Sequence, residues 1–235
     1  TKQGLIMNDI IEVKEVSKSY GGVKANIDIS MVVKKGSITG IIGPNGCGKT
    51  TLFNSIVGYH PIDSGSIKFA GKEISKLLVG DIARLGLLRT FQQTRIYSKM
   101  NCVDNMQISV SRRKDAKYGL FASRKGEIKQ KAEHLLDFVG LYSKRNLISG
   151  DLSFGQQKLL EFAMALMNEP KVLLLDEPTA GINPTLINGL IDRLQKANQE
   201  LGITLCVIEH NMRVIMNLAS DIYCLSNGKM LASGK

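Results

Sequence analysis

The 235-residue sequence predicts an α/β fold that carries an antiparallel β subdomain and an inserted helical subdomain. Three patterns support this prediction. A β-branched, apolar run at 37–42 leads into a glycine-rich loop and then into residues with helical spacing. Strand-like and helix-like segments alternate again from 171 to 235. Helical periodicity dominates from about 100 to 150, which indicates an insertion into the α/β core.

The glycine-rich loop has the composition of a phosphate-binding loop. Residues 43–50 read GPNGCGKT, in which four residues separate Gly43 from Gly48 before Lys and Thr follow. Glycine tolerates positive φ, so the backbone N–H groups can approach phosphate oxygens. Lys49 supplies a positive charge for the outer phosphates, and the Thr50 hydroxyl is a suitable ligand for Mg²⁺. A glycine-rich turn without a ligand is the alternative, and the flanking strand and helix favour the nucleotide site.

The segment before the loop predicts an antiparallel hairpin. Residues 10–42 contain two runs of alternating apolar and polar residues, joined by a Gly21-Gly22 turn. Tyr20 lies beside this turn, where its ring could stack on an adenine base. Taken alone, the position fits an ordinary strand-end tyrosine at least as well. After the loop helix, the sequence predicts a turn at 60–65, a short strand at 66–71, a helical segment around 74–86 and a short strand from 87.

The predicted insertion is helical. Helices are expected at 101–110 and 126–141, with a loop or frayed helix in the basic segment between them. Ser153 is a suitable N-cap for the next helix, which ends before Pro170. We therefore expect a nucleotide-binding α/β core with an N-terminal antiparallel β subdomain at 8–92 and 168–235, and a helical subdomain at 93–167.

Two carboxylates follow a strand that should be fully buried. The apolar run at 172–175 ends in Asp176 and Glu177, and ligands of open α/β sheets bind at the carboxyl ends of strands. Asp176 then suits a Mg²⁺ ligand, and Glu177 suits a group that polarises an attacking water. Adjacent acids after a strand can also be a helix cap. His210 follows the next strand and could donate to a γ-phosphate, although an isolated histidine there is equally compatible with no such role.

The composition narrows the class of protein. The net charge of +10 is mostly scattered along the chain, which favours a solvated surface over an anionic partner. No apolar run approaches the roughly 18 residues that span a bilayer. The spacing of the four cysteines matches no metal site, so unpaired thiols are expected.

Taken in order, the segments GPNGCGKTT, TFQQ, LSFGQQK, VLLLDEP, AGIN and IEH resemble the ATPase subunits of ABC transporters over essentially the whole chain. The resemblance implies a P-loop NTPase core of the ABC ATPase type, with ATP and Mg²⁺ bound between two ATPases in a head-to-tail dimer. By resemblance, the catalytic residues are Glu177, His210 and Gln92, and the Mg²⁺ ligands are Thr50, Gln92 and Asp176. The implied nucleotide contacts are Tyr20, Asn45, Gly46, Cys47, Gly48, Lys49, Thr50, Thr51, Ser153, Gly155 and Gln156, of which Ser153, Gly155 and Gln156 would touch the ATP held by the partner.

Two departures from the common family pattern refine the resemblance. Phe154 stands where glycine is usual, and Asn183 stands where aspartate is usual. ARLGLLRTFQ, DEPTAGINP and IEHNM look like the ATPases of uptake systems for branched-chain amino acids, amides and urea. This likeness implies two transmembrane permease subunits, a second ATPase that is identical or related, and, indirectly, an extracytoplasmic solute-binding protein. It also implies a peripheral location on the cytoplasmic face of the cell membrane, and no nucleic-acid partner.

Two alternatives stay open from the sequence. The first is the ATPase of a lipid or lipopolysaccharide exporter, against which the RTFQ segment argues. The second is an ABC ATPase that acts on nucleic acid or ribosomes, for which the positive charge gives some support. Proteins of that second class usually carry tandem cassettes, a long coiled coil or zinc-binding cysteines, and the sequence has none of these patterns.

Overall fold

The structure is a computed structural model that describes residues 9–90, 96–110 and 121–235, excepting the side chains of 121–125. Its first layer is a four-stranded antiparallel sheet in the order β2-β1-β4-β5. The alternating pattern predicted this layer, because every second residue of its strands is buried over much of their length. The strands are β1 (Asp9–Tyr20), β2 (Val23–Lys34), β4 (Ser64–Phe69) and β5 (Lys72–Glu73).

The second layer is a six-stranded sheet in the order β10-β9-β3-β8-β7-β6. Its strands pair in parallel, except that β10 is antiparallel to β9. The carboxyl ends of β3, β7 and β8 therefore meet at one edge, where the glycine-rich loop, the two acids and His210 follow. The strands are β3 (Ile38–Ile42), β6 (Leu87–Arg89), β7 (Val172–Asp176), β8 (Thr204–Ile208), β9 (Asp221–Ser226) and β10 (Lys229–Gly234).

Helices and the antiparallel sheet cover both faces of the six-stranded sheet. Leu173 and Leu175 are buried in one cluster with residues of α3 to α7, whereas Val172 and Leu174 are buried in another with α1 and the four-stranded sheet. This double burial is why β7 is a continuous apolar run. The helices are α1 (Lys49–Ile56), α2 (Val79–Leu85), α3 (Cys102–Ile108), α4 (Phe121–Phe138), α5 (Phe154–Leu166), α6 (Pro184–Leu201) and α7 (Met212–Leu218).

Two helices, α2 and α4, begin five residues away from the position that the sequence predicted. α2 begins only at Val79, because Ile74 is buried against the four-stranded sheet and its N–H donates to the Ile67 carbonyl at 2.8 Å. α4 begins at Phe121, upstream of the predicted 126, because Arg and Lys at 124 and 125 are good helix formers. The boundaries proposed for the helical subdomain stay a prediction. Within the described ranges, no helix combines the length and apolar content that crossing a membrane requires.

Candidate functional site

The loop between β3 and α1 passes close to the backbone of β2. Gly46 and Gly48 have φ of 77° and 104°, in the left-handed region that favours glycine. A side chain at Gly48 would also collide with the Ala25 carbonyl and lie 2.6 Å from Asn26 Nδ2. Gly48 is the N-cap of α1 and supplies no side-chain cap. The first N–H groups of the helix, which form the positive end of its dipole, are therefore left to bind an anion.

The Lys49 ammonium group is held inside this loop. Its side chain is 5% exposed, and Nζ donates to the carbonyls of Gly43 at 2.8 Å and Pro44 at 3.0 Å. Cys47 Sγ lies 3.8 Å from the same nitrogen. A buried positive charge at the start of a helix is suited to bind phosphate oxygens.

A cavity of about 440 Å³ lies over the loop and brings the predicted loop residues together with Glu177 and His210. Cys47 is buried beneath it and does not line it. Two parts of the chain that were not predicted to border the site, β2 and the turn between β9 and β10, also contribute to the cavity lining. The turn contacts the loop through a hydrogen bond from Gly228 N–H to the Cys47 carbonyl at 3.1 Å, and no sequence pattern predicts this contact. The lining residues are Val23, Lys24, Ala25, Asn45, Gly46, Gly48, Lys49, Thr50, Thr51, Glu177, His210, Asn227 and Gly228.

A larger cavity, of about 570 Å³, lies at the opposite end of the parallel strands. It is lined by residues that include Asp9, Lys35, Lys171 and Thr204. None of the predicted site residues borders it. We therefore take the smaller cavity, where the predicted chemistry converges, as the candidate site.

Asp176 ends β7 beside the loop helix. It is 1% exposed, and its Oδ2 accepts a hydrogen bond from Arg89 Nη2 at 2.6 Å. Thr50 Oγ1 lies 3.4 Å from the same oxygen. The other carboxylate oxygen of Asp176, Oδ1, is buried and has no hydrogen-bond partner among the described residues. Because Mg²⁺ prefers carboxylate and hydroxyl oxygens, this unpartnered oxygen beside Thr50 fits a magnesium site. Gln92, the third predicted ligand, lies outside the described residues.

Arg89 is a part of the site that the sequence analysis did not find. Besides Asp176, its guanidinium donates to Asn54 Oδ1 of α1 and lies 5.7 Å from the Phe53 ring centroid. The Arg89 and Asp176 side chains are 5% and 1% exposed, so the ion pair is buried. Removing one partner of such a pair leaves a buried charge that is costly. Arg89 therefore connects β6, β7 and the helix that follows the loop.

Glu177 and His210 are in direct contact. His210 Nε2 lies 2.7 Å from Glu177 Oε1. Asp176 pairs with Ile208 across the parallel strands, and this register carries the two following loops to the same place. Glu177 has a φ of 50°, which is uncommon for a residue with a side chain. Such backbone strain occurs often at functional sites.

The segment LSFGQ lies apart from the cavity, at the start of α5. Ser153 caps the helix as predicted: its Oγ accepts from Gln156 N–H at 3.4 Å, and Gln156 Oε1 accepts from Ser153 N–H at 3.1 Å. Phe154 is 46% exposed, and a side chain at Gly181 would lie 2.9 Å from its ring. Ser153, Gly155 and Gln156 do not line the cavity of their own chain.

Tyr20 is at the end of β1, paired with the cavity residue Val23 but not itself part of the cavity lining. Its ring meets the His60 ring edge-on, with centroids 5.5 Å apart. Burial lowers the pKa of His60. Lys18 donates to Asp63 at 3.0 Å, and this hydrogen bond lowers the pKa of the Asp63 carboxyl. The role of Tyr20 as an adenine platform stays a prediction.

The four cysteines are unpaired, as the sequence predicted. Cys47, Cys102 and Cys206 are buried, and Cys224 is partly exposed. Burial raises the pKa of the Cys206 thiol to about 12, so that thiol stays protonated near neutral pH.

Comparison with known proteins decides the family. A family model described as ABC transporter matches residues 27–180. The chain belongs to this ABC transporter family. A high-affinity branched-chain amino acid transport ATP-binding protein of Pseudomonas aeruginosa is 36% identical over 96% of this chain and 91% of its own length. A probable branched-chain amino acid transport ATP-binding protein of Archaeoglobus fulgidus is 35% identical, with 96% and 89% covered.

The fold agrees with solved ABC cassettes. The ADP conformation of an ATP-binding cassette of an ABC transporter superposes with a TM-score of 0.85 at 32% identity, covering 97% of this chain and 91% of that one. As an ABC family member, the chain is a nucleotide-binding ATPase. The predicted α/β fold of the ABC ATPase type is confirmed, and the two alternatives, a lipid exporter and a nucleic-acid ATPase, are not favoured by these relatives.

Proposed function

We propose that this chain is the ATP-hydrolysing subunit of an importer for branched-chain amino acids or related small polar solutes such as amides and urea. The observation that carries the ATPase mechanism is the convergence of Lys49, Glu177 and His210 around one cavity. The relatives from Pseudomonas aeruginosa and Archaeoglobus fulgidus are branched-chain amino acid transport proteins, which supports branched-chain amino acids as the first candidate substrate.

The loop and its helix would bind the phosphates of ATP. Backbone N–H groups from Asn45 to Thr51 and the Lys49 ammonium group would face the phosphate oxygens. Thr50 and Asp176 would hold Mg²⁺, with Gln92 as the third predicted ligand. When bound, Mg²⁺ would neutralise part of the phosphate charge and orient the outer phosphates.

Glu177 would act as the general base in hydrolysis. Its carboxylate would accept a proton from a water molecule as the water oxygen bonds to the γ-phosphorus and the bond to the ADP oxygen breaks. The products are ADP and inorganic phosphate. His210, which lies 2.7 Å from Glu177 through Nε2, would orient the Glu177 carboxylate and donate to the γ-phosphate when it is released from that contact.

A second ATPase subunit would complete the site. Ser153, Gly155 and Gln156 do not line the cavity of their own chain, so an arrangement in which they contact nucleotide held by a partner fits their position. The partner would be an identical or related chain in a head-to-tail dimer. Two transmembrane permease subunits would hold the pair at the cytoplasmic face of the membrane, with a solute-binding protein acting on the other side.

Copurification tests the proposed transport role. The tagged full chain is isolated from its own cells in mild detergent, and the retained proteins are identified by mass spectrometry. Two membrane subunits and a second ATPase are expected, and the solute-binding protein encoded with them would then be tested for leucine, isoleucine, valine, urea and short amides. Recovery with ribosomes, DNA or soluble factors in place of membrane subunits would overturn the transport role and leave the ATPase chemistry standing.

A further inference from the structure

Glu209 is a buried carboxylate that joins the two loops carrying Glu177 and His210. It is 3% exposed. Its Oε1 accepts hydrogen bonds from the N–H of Thr179, at 2.8 Å, and from the Thr179 hydroxyl. Its Oε2 accepts from the N–H of His210 at 3.1 Å and lies 3.4 Å from the N–H of Asn211. All four partners are donors, which matches a carboxylate that only accepts.

The topology explains why one side chain can reach both loops. β7 and β8 are parallel neighbours, so the loops that follow them leave the sheet side by side. Glu177 N–H donates to the Ile208 carbonyl at 2.9 Å, and Ala180 N–H donates to the Glu177 carbonyl at 3.1 Å. The Glu209 carboxylate closes this arrangement through Thr179, which is 6% exposed.

We propose that Glu209 is a positioning residue for ATP hydrolysis. By holding Thr179 and the His210 backbone on one carboxylate, it fixes the separation of the Glu177 and His210 side chains. This inference rests on the roles proposed above for Glu177 and His210. Hydrolysis is sensitive to such placement, because a shift of about 1 Å in a reacting group can cost on the order of a hundredfold in rate.

The position of Glu209 separates it from the groups that would touch ATP. It does not line the cavity that Lys49, Glu177 and His210 share. Its carboxylate is occupied by backbone and hydroxyl donors, whereas the Glu177 carboxylate faces the cavity. Loss of Glu209 should therefore lower kcat and leave nucleotide affinity nearly unchanged.

The test compares Glu209→Gln with Glu177→Gln and a matched control on the full chain. An amide at 209 presents an NH₂ group to one pair of donors, so we expect kcat to fall about ten- to a hundredfold, with ATP affinity within about threefold. Thr204→Val is the control, because Thr204 Oγ1 accepts from the N–H of Gly36 at 2.8 Å at the other end of β8. This control removes a similar buried hydrogen bond far from the site and should keep kcat.

Thr179 gives a second route to the same result. Thr179→Val removes the hydroxyl bond and keeps the backbone bond, so a smaller fall in kcat is expected, and Thr179→Ser should restore the rate. His210→Ala should lower kcat by a smaller factor in the Glu209→Gln variant than in the unmodified chain, because Glu209 and His210 both act on the placement of the Glu177 carboxylate.

The outcomes separate the inference from the function on which it rests. Normal kcat in Glu209→Gln and Thr179→Val, with hydrolysis lost in Glu177→Gln, would overturn the positioning role and keep the proposed base. An equal loss of kcat in Glu209→Gln and Thr204→Val would also overturn it, since the effect would then be general destabilisation. Normal hydrolysis by Glu177→Gln would instead remove Glu177 as base, and the positioning role of Glu209, which rests on that base, would be overturned with it.

Discussion

The phosphate-loop region and the LSFGQ region are built in different ways. The loop gains its surroundings from distant parts of the chain: Ala25 of β2, Gly228 of the β9–β10 turn and Glu177 after β7 all border one cavity. The LSFGQ segment is organised locally, through the Ser153–Gln156 capping box at the start of α5. One region therefore forms a cavity lined by distant segments of the chain, and the other forms an accessible surface.

This difference fits the proposed dimer, in which one chain would hold only part of each catalytic site. Because the cavity is assembled within one chain, we expect it to bind nucleotide without a partner. In the proposed dimer, the capped helix start with its half-exposed Phe154 ring would contact nucleotide only across the interface with the second ATPase. Variants in the phosphate-loop region should change nucleotide binding or hydrolysis by the isolated chain. Variants in the LSFGQ region should change its nucleotide binding little.

The largest expected effect is in Glu177→Gln. The amide is isosteric but cannot take a proton from water, so kcat should fall about a hundred- to ten-thousandfold while ATP binding remains. Phosphate release and equilibrium binding of a fluorescent ATP analogue measure the two quantities. Glu169→Gln is a matched control, because Glu169 also has positive φ, 49°, but lies after α5. Near-normal turnover would exclude Glu177 as the base.

Lys49→Ala should have the next largest effect, on affinity. The buried ammonium group is the charged donor of the loop, and hydrogen bonds to charged groups contribute about 1.5–3 kcal/mol, which corresponds to roughly ten- to a hundredfold in Kd. Titration of the isolated chain with ATP measures it. Lys35→Ala, at an exposed lysine beside the other cavity, should bind normally. Unchanged affinity in Lys49→Ala would contradict the assignment of the loop.

Phe154→Gly tests the accessible region. The half-buried ring contacts the Gly181 segment, so its removal should lower the free energy of unfolding by about 1–2 kcal/mol. Nucleotide affinity of the isolated chain should not change, because Phe154 does not border the cavity. Phe154→Leu should retain much of the stability. Denaturant titration and ATP binding measure both effects, and a large loss of affinity would show that the two regions are coupled within one chain.

Ser153→Ala should have a smaller effect of the same kind. The variant loses the capping box, which costs about 1 kcal/mol of stability, and ATP affinity of the isolated chain should stay the same. Ser153→Thr keeps the acceptor and should remain close to the unmodified chain. Equal denaturation midpoints for Ser153→Ala and the unmodified chain would contradict the contribution of the cap.

The smallest effect is expected near Tyr20, in Asp63→Asn. The hydrogen bond from Lys18 lowers the pKa of Asp63 in the folded state. A lowered carboxyl pKa adds stability that is present above the unfolded pKa, about 3.9 for aspartate, and is lost as pH falls through the folded pKa. The variant should thus be slightly less stable at pH 7 and equal to the unmodified chain in strong acid. Lys18→Met should show the same pH dependence of stability. A difference in stability between Asp63→Asn and the unmodified chain that persists in strong acid would exclude this charge effect.

Patterns that depend on neighbours in sequence were predictable. The strand–loop–helix at 37–57 and the Ser153 cap follow from local backbone requirements and periodicity, and the structure confirms them. Arg89 and Glu209 lie within the RTFQ and IEH segments, but no role was predicted for either, because residue type and neighbours do not indicate which distant group a side chain contacts. Their contacts join residues 87 and 30 positions apart in sequence.

The sequence by itself determined the chemistry of this protein: a loop that can cradle phosphates, a lysine and threonine at the helix start, and acids at a strand end. These are properties of residue type and spacing, which short-range geometry fixes. Tertiary structure alone decided which groups meet. Only the parallel register of β7 and β8 brings His210 to 2.7 Å from Glu177. Only the packing of distant segments brings Arg89 to Asp176 and Glu209 to Thr179. Such contacts depend on how distant segments pack, and no local pattern encodes that distance.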